Sequence, residues 1–267
     1  MSSPKKLSEI FDSIESRKKN VEFLPTGFLE LDIALDGGFL RREMIIIGGR
    51  TGSGKSFVSG TIFHNIAKQG FKSAYFSLEI SNEMVVSRLI GAEADIQPTA
   101  VMMKEMEQKV ADKVRDSKAR VSVHEEFMHF YDDLWTFDAI KKAIIENKYD
   151  FVVVDFIQNI TVKGREEYER LSYLAHAFQQ LAKESDCCIL IVSQLSNSIA
   201  KDRRTDVIEF KGSGEIGIVS DLAFYIENGK RGAGTFDLHL RKNRRGITGT
   251  AFPFSLVYPS GRVLPGL

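Results

Sequence analysis

The sequence predicts an α/β protein: a mainly parallel, twisted sheet flanked by helices on both faces. Near-continuous apolar runs, MIIIGG (44–49), SAYFSLE (73–79), DFVVVDF (150–156) and CCILIVSQ (187–194), are separated by segments of helical periodicity. Strands covered on both faces by helices read this way. The first of these runs passes through a glycine-rich loop directly into a helical pattern. The tail then keeps only strand runs, DLAFYIE (221–227), TFDLHLRK (235–242) and TAFPFSLVY (250–258), joined by glycine-rich turns. Those three predict sheet-edge strands that are partly antiparallel.

In chain order, residues 5–19 (KKLSEIFDSIESRKK) place Leu7, Ile10, Phe11 and Ile14 on one helical face with charges elsewhere. A helix this short and charged is not stable alone in water, so its stripe must dock on this chain or on a neighbouring copy. Pro25 and Gly27 then mark a linker and turn in NVEFLPTG (20–27). A helix is predicted from Lys55 to about Gln69 and another from about Asn82. A charged, methionine-rich helical stretch (102–118) leads to a strand at RVSVHE (120–125), and helices follow at 136–147 and 166–185. Residues 196–214 carry neither helix nor strand signal, and no internal repeat is evident.

Charge is balanced, 36 basic against 36 acidic residues, so any contact with nucleic acid must come from local clusters. The only cysteines, Cys187 and Cys188, are adjacent in a strand and point to opposite faces, which argues against pairing with each other. They lack metal-ligand spacing and read as buried apolar residues of a reducing compartment. The N-terminus is polar and lysine-bearing, and no apolar run approaches a membrane-spanning length. The expected setting is the cytoplasm, with no membrane partner. At 267 residues, one large domain can use the whole chain.

The loop itself is Gly49-x-x-x-x-Gly54-Lys55-Ser56, a Walker A pattern with a strand before it and a helix after it. Its glycines let backbone N–H groups curl around phosphate oxygens, while the following helix turns its positive end toward them. The residues expected to touch a nucleoside triphosphate are Gly49, Arg50, Thr51, Gly52, Ser53, Gly54, Lys55, Ser56 and Phe57. Lys55 is expected to reach the β- and γ-phosphates, and the Ser56 hydroxyl to ligate Mg²⁺. Asp155 ends the most apolar strand, as a Walker B carboxylate holding Mg²⁺ through water or as a strand-end turn residue. Glu79 ends the SAYFSLE strand beside the loop, as a base for attacking water or as a helix cap.

LPTGFLELDIALDGG (24–38), the phosphate loop, YFSLEISNEMVVSRL (75–89), VVVDFIQ (152–158), VSQLSNS (192–198), GSGEI (212–216) and RKNRRGITG (241–249) follow one another along nearly the whole chain. Together they resemble the motor domain of DnaB-type replicative helicases. The resemblance implies a RecA-like P-loop fold, with antiparallel C-terminal edge strands, working as a ring of six. It divides the chain into a linker helix and connector (1–24) for subunit docking and a motor domain (25–267). Residue by residue, it implies that Glu79 is the catalytic base, Asp155 the Walker B aspartate and Arg88 an arginine near the nucleotide. Gln194 corresponds to the sensor of the γ-phosphate state. Lys242 and Arg244 correspond to fingers that reach into the neighbouring subunit's ATP site, although RKNRR alone reads equally as a solvated basic turn.

Residues 196–214 are polar and basic, with Lys201, Arg203, Arg204 and Lys211 among them. In the family this region faces the central channel and holds single-stranded DNA, with Lys211, Gly212 and Gly214 at phosphate-contacting positions; many members carry an acidic residue where this chain has Gly212. Glycines allow close backbone approach and lysine adds charge. The resemblance thus implies ATP and Mg²⁺ as cofactors, single-stranded DNA and further copies of the chain as partners, and a primase or helicase loader as others. The family's usual N-terminal primase-binding collar has no match here, as in a collarless type or a shortened form. A RecA/RadA-like recombination ATPase and a nucleotide-gated assembly or loading factor share the loop and stand as alternatives.

Overall fold

The computed structural model describes residues 4, 6–18, 23–194, 215–229 and 234–266, with backbone alone for 13–18 and 215. The apolar runs form β3 (Met44–Gly49), β4 (Ser73–Ser77), β5 (Met128–Tyr131), β6 (Phe151–Asp155), β7 (Cys188–Gln194), β8 (Leu222–Asn228), β9 (Thr235–Asn243), β10 (Ala251–Val257) and β11 (Arg262–Pro265). A small hairpin-like pair, β1 (Phe23–Leu24) and β2 (Phe39–Leu40), precedes them. The helices are α1 (Leu7–Lys18), α2 (Leu29–Ala34), α3 (Lys55–Ala67), α4 (Asn82–Ala94), α5 (Gln108–Ser122), α6 (Phe137–Asn147), α7 (Glu167–Glu184) and α8 (Glu215–Val219).

The sheet order is β11-β10-β9-β8-β3-β7-β6-β4-β5. Pairings from β8 to β5 are parallel, and those among β8, β9, β10 and β11 antiparallel. The predicted fold class therefore stands. Every residue of β3, β4 and β6 is buried, as strands between two helical layers require. One layer packs Val58, Ile62, Phe63 and Ile66 of α3 and Leu89 of α4 on Ile45, Ile47, Val153 and Val192. The other packs Ile140 and Ile144 of α6 and Leu174 and Phe178 of α7 on Ile46, Val152, Val154 and Ile191. Cys187 joins the second core and Cys188 the first; both thiols are free, and burial pushes both up. Among the described residues no helix is long and apolar enough to cross a membrane.

Two expectations need correction. The run 221–227 is not at the edge: β8 lies between β3 and β9 and pairs in parallel with β3, Ile226 opposite Gly49. The chain between Gln194 and Leu222 is long enough for the crossover that parallel pairing needs, although it carries little helical signal. RVSVHE is not a strand either. α5 continues through it to Ser122, because Val121 extends the buried helical face of Val114 and Ser117 toward α4. The strand comes later, as MHFY. Two valines alternating with polar residues fit either period, and packing decides between them.

Among the described residues, the stripe on α1 finds no surface to cover it. Leu7 and Phe11 are 65% and 56% exposed, and Ile10 is exposed with them; the Ile14 side chain lies outside the described residues.

Arg245, in the turn after β9, acts as a clamp. Its guanidinium donates to the carbonyls of Leu35 and Gly38, both at 2.9 Å, and pairs with Glu43 Oε1 at 2.8 Å. Glu43 Oε2 in turn accepts from the Leu40 N–H at 3.1 Å. Burial pushes the Glu43 carboxyl up and the Arg245 charge pulls it down. Arg245→Ala leaves that carboxylate buried without its cation, so urea unfolding is expected to show a loss of about 3 kcal/mol. Arg245→Lys recovers only part of the loss, because one ammonium cannot span the fork.

Candidate nucleotide-binding site

β3 ends at Gly49, and the chain turns through residues 50–54 into α3. Gly52 and Gly54 take the turn with φ of 74° and 92°, where a side chain would be strained. A Cβ on Gly49 would strike the Ser53 hydroxyl. The helix starts on Gly54, so no side chain caps its first turn, which also holds no acidic residue. Those N–H groups and the positive end of α3 are left facing the loop's interior, as an anion site requires.

Lys55 curls back over the loop. Its Nζ donates to the carbonyls of Gly49 at 3.0 Å and Arg50 at 2.8 Å. Burial pushes this ammonium down, while the charges of Asp155 and Glu79 hold it up.

The carboxyl ends of the parallel strands bring in the rest, the usual place for a ligand crevice in such sheets. Asp155, at the end of β6, is 3% exposed. Burial raises its carboxyl; the hydroxyls of Tyr75 and Ser56, then the charges of Arg88 and Lys55, pull it back down. Tyr75 OH donates to Oδ2 at 2.7 Å, whereas Oδ1 is buried with no partner. A buried carboxylate oxygen without a donor calls for an explanation. With the Ser56 hydroxyl beside the same carboxylate, that oxygen suits a small divalent cation such as Mg²⁺.

Glu79 lies just past β4, which is not the neighbour of β3 but is separated from it by β7 and β6. It still lines the same cleft, of about 220 Å³, with Lys55, Ser56, Arg88, Asp155 and Gln194. Arg88 comes from α4 and lies over the Phe57 ring, 4.8 Å from its centroid. Gln194 ends β7 and donates from Nε2 to the Thr51 hydroxyl at 2.6 Å. Its backbone N–H donates to Gln158 Oε1 at 3.4 Å, and Gln158 Nε2 donates to Ser193 Oγ at 2.9 Å. Gln158 belongs to the D-x-x-Q strand end, so its pattern was visible in the sequence but its partners were not.

Lys242 and Arg244 do not join this cleft. Lys242 Nζ donates to the carbonyls of Gly217 (3.2 Å) and Ile218 at the end of α8. Arg244 pairs with Asp221 Oδ1 at 3.0 Å and donates to the Val219 carbonyl at 3.2 Å. Asp221 also accepts from the Met44 N–H at 2.9 Å, at the start of β3. Five strand residues separate Asp221 from Ile226 beside the phosphate loop, about 16 Å at the usual rise. Both cations thus sit at the amino end of the parallel strands, the opposite end of the sheet from the loop of their own chain. Lys201, Arg203, Arg204, Lys211, Gly212 and Gly214 lie outside the described residues.

The chain is similar to the replicative DNA helicase DnaB of Treponema pallidum, 28% identical over 255 residues, which cover 91% of this chain and 57% of that protein. It is also similar to the replicative DNA helicase DnaB of Geobacillus stearothermophilus, 26% identical over 262 residues, covering 91% and 58%. It therefore spans little more than half the length of these relatives. Among solved structures, one described as an ATPase domain superposes with a TM-score of 0.86 at 18% identity, over 99% of this chain and all of that one. A DnaB-like replicative helicase, described with its interactions with primase, gives 0.83 at 18%, over 98% and 67%. The shared fold is RecA-like, a mostly parallel sheet flanked by helices with antiparallel C-terminal strands. The family model described as the DnaB-like helicase C terminal domain matches residues 24–257, and across that span this chain belongs to the DnaB-like helicase C-terminal domain family.

Proposed function

We propose that this chain is the ATP-hydrolysing motor of a replicative DNA helicase, translocating on single-stranded DNA as a ring of six with 5′→3′ polarity. One observation supports it most: a complete phosphate loop, a base and a cation-binding carboxylate share one cleft, while Lys242 and Arg244 sit at the far end of the same sheet. Among the described residues this chain brings Lys55 and Arg88 to the cleft, and in this reading a neighbouring copy adds Lys242 and Arg244 from its surface.

In this reading the N–H groups of residues 50–56 and the amino end of α3 hold the triphosphate. Lys55 exchanges the Gly49 and Arg50 carbonyls for the β- and γ-phosphates. Glu79 orients a water and takes its proton. Mg²⁺, held by Ser56 and Asp155, neutralises charge on the phosphates when bound. Gln194 senses the γ-phosphate through its bond to Thr51 and passes the state into residues 195–214, which follow it directly. α8 follows that segment directly in the chain, and its carbonyls hold Lys242 and Arg244. The exposed face of α1 docks on an adjacent subunit.

The test is ATP hydrolysis with and without single-stranded DNA, followed by strand displacement on forked duplexes with either tail. Stimulated hydrolysis with polar unwinding is expected. DNA-dependent hydrolysis in filaments without unwinding would favour a recombination ATPase, and nucleotide-driven assembly indifferent to DNA a loading factor.

Binding to single-stranded DNA is expected to weaken steeply with salt, because Lys201, Arg203, Arg204 and Lys211 cluster in one segment. Lys211→Ala flattens the log–log slope by roughly 0.7, the counterions released at one single-strand phosphate. An unchanged slope places the DNA elsewhere.

A further inference from the structure

We propose that Tyr75 is the positioning residue for the Asp155 carboxylate: its hydroxyl holds one carboxylate oxygen so that the other faces the cation site at Ser56. The proposal rests on the nucleotide and Mg²⁺ reading above and adds to it the first residue of YFSLEISNEMVVSRL, to which the motifs assign no role.

The strand register brings the two together. β4 and β6 are parallel neighbours with Tyr75 opposite Val153 and Ser77 opposite Asp155. Side chains alternate along a strand, so Tyr75 and Asp155 point to the same face, the one α3 covers. Asp155 is two residues on from Val153, a diagonal that an aromatic side chain can span. The phenol ring is fixed by Phe63, edge-on at 5.5 Å between centroids, and Tyr75 is one of the largest fully enclosed side chains of the core.

The hydroxyl has two oxygens within reach. Asp155 Oδ2 lies at 2.7 Å and Ser59 Oγ at 3.3 Å; Ser59 is also 3.3 Å from the Ser56 carbonyl, one turn earlier on α3. The nearer, charged oxygen takes the phenolic proton, because charge-assisted hydrogen bonds are the stronger. Tyr75 therefore ties the end of β6 to the first turns of α3, the two elements that carry Asp155 and Ser56.

Aspartate is loose at its last torsion, with two broad and nearly equivalent settings. In this enclosed position the Tyr75 bond occupies Oδ2 and leaves Oδ1 without a partner. Were the phenol merely a buried hydroxyl seeking an acceptor, its removal would alter stability and leave cation affinity unchanged.

The experiment follows Mn²⁺ by electron paramagnetic resonance, in the full chain loaded with a non-hydrolysable ATP analogue. Tyr75→Phe is expected to weaken Mn²⁺ binding about tenfold, the low end for partners of metal-ligating residues. Binding of the analogue in EDTA changes by less than about twofold, since the loop's own contacts to phosphate are untouched. Ser59→Ala, which leaves the Tyr75–Asp155 bond in place, weakens Mn²⁺ by roughly two- to threefold, the effect of a neutral hydrogen bond one step removed. In an Asp155→Asn background, Tyr75→Phe causes no further loss, as expected of a residue acting through Asp155.

Wild-type Mn²⁺ affinity in a folded Tyr75→Phe protein overturns the proposal. If that variant does not fold, Ser59→Ala decides, and unchanged Mn²⁺ affinity there overturns it equally. A wild-type chain that binds neither analogue nor Mn²⁺ sinks the nucleotide reading itself, a result separate from either variant.

Discussion

Arg244→Ala is expected to lower ATP hydrolysis by a factor of about 10³ or more while each subunit still binds ATP. In the proposed reading the guanidinium acts where charge develops in the transition state, so its loss spares ground-state binding. Within its own chain Arg244 pairs with Asp221 and the Val219 carbonyl, and its side chain is about half exposed. The pair is therefore worth only about 1 kcal/mol, and the variant stays folded. Asp221 keeps its bond from the Met44 N–H in any case. Mixing Arg244→Ala with Lys55→Ala then gives a result that a cis residue cannot produce. Where a Lys55→Ala subunit presents its intact Arg244 to an Arg244→Ala subunit, one whole site is rebuilt from two inactive proteins. Hydrolysis returns with increasing concentration, below the wild-type level because the opposite interface carries both defects. A mixture that co-assembles and stays silent counts against the trans assignment, and a fully active Arg244→Ala ends it.

Glu79→Gln is the second large effect. The amide keeps the shape but cannot accept the proton of the attacking water, so turnover is expected to fall by about 10²–10⁴ with nucleotide affinity retained. Lys55→Ala gives the contrasting pattern. The lysine touches the phosphates already in the ground state, so both affinity and turnover fall. Its removal also takes away a cation whose charge offsets the buried Asp155. Single-turnover hydrolysis and equilibrium binding of a fluorescent ATP analogue separate the two variants. Wild-type-like turnover in Glu79→Gln would move the base to another residue.

Local chemistry made much of this protein legible without a structure. The phosphate loop was visible because its glycines, lysine and serine must lie at fixed spacing between a strand and a helix, and β3, residues 50–54 and α3 realise that order. The buried strands were visible because a strand covered on both faces has no polar face to show. Cys187 and Cys188 separate into two cores because neighbours on a strand alternate sides. What depends on strand order was not visible. DLAFYIE is parallel and central because the long connection before it returns to β3, and nothing within the seven residues says so. The first half of RVSVHE, through Ser122, is helical because Val121 faces α4 once α5 has packed. RKNRR looks like one basic run, yet its arginines part company. Arg245 clamps the carbonyls of Leu35 and Gly38, and Arg244 rests on Asp221 at the surface. Tyr75 opens the segment YFSLEISNEMVVSRL, but nothing in that segment names its partner. Its bond to Asp155 exists only because β4 lies beside β6 in a register that sets them on one diagonal. Periodicity and backbone geometry are properties of short stretches, whereas the partner of a buried polar group is chosen by how distant stretches are brought together. That choice belongs to the tertiary structure.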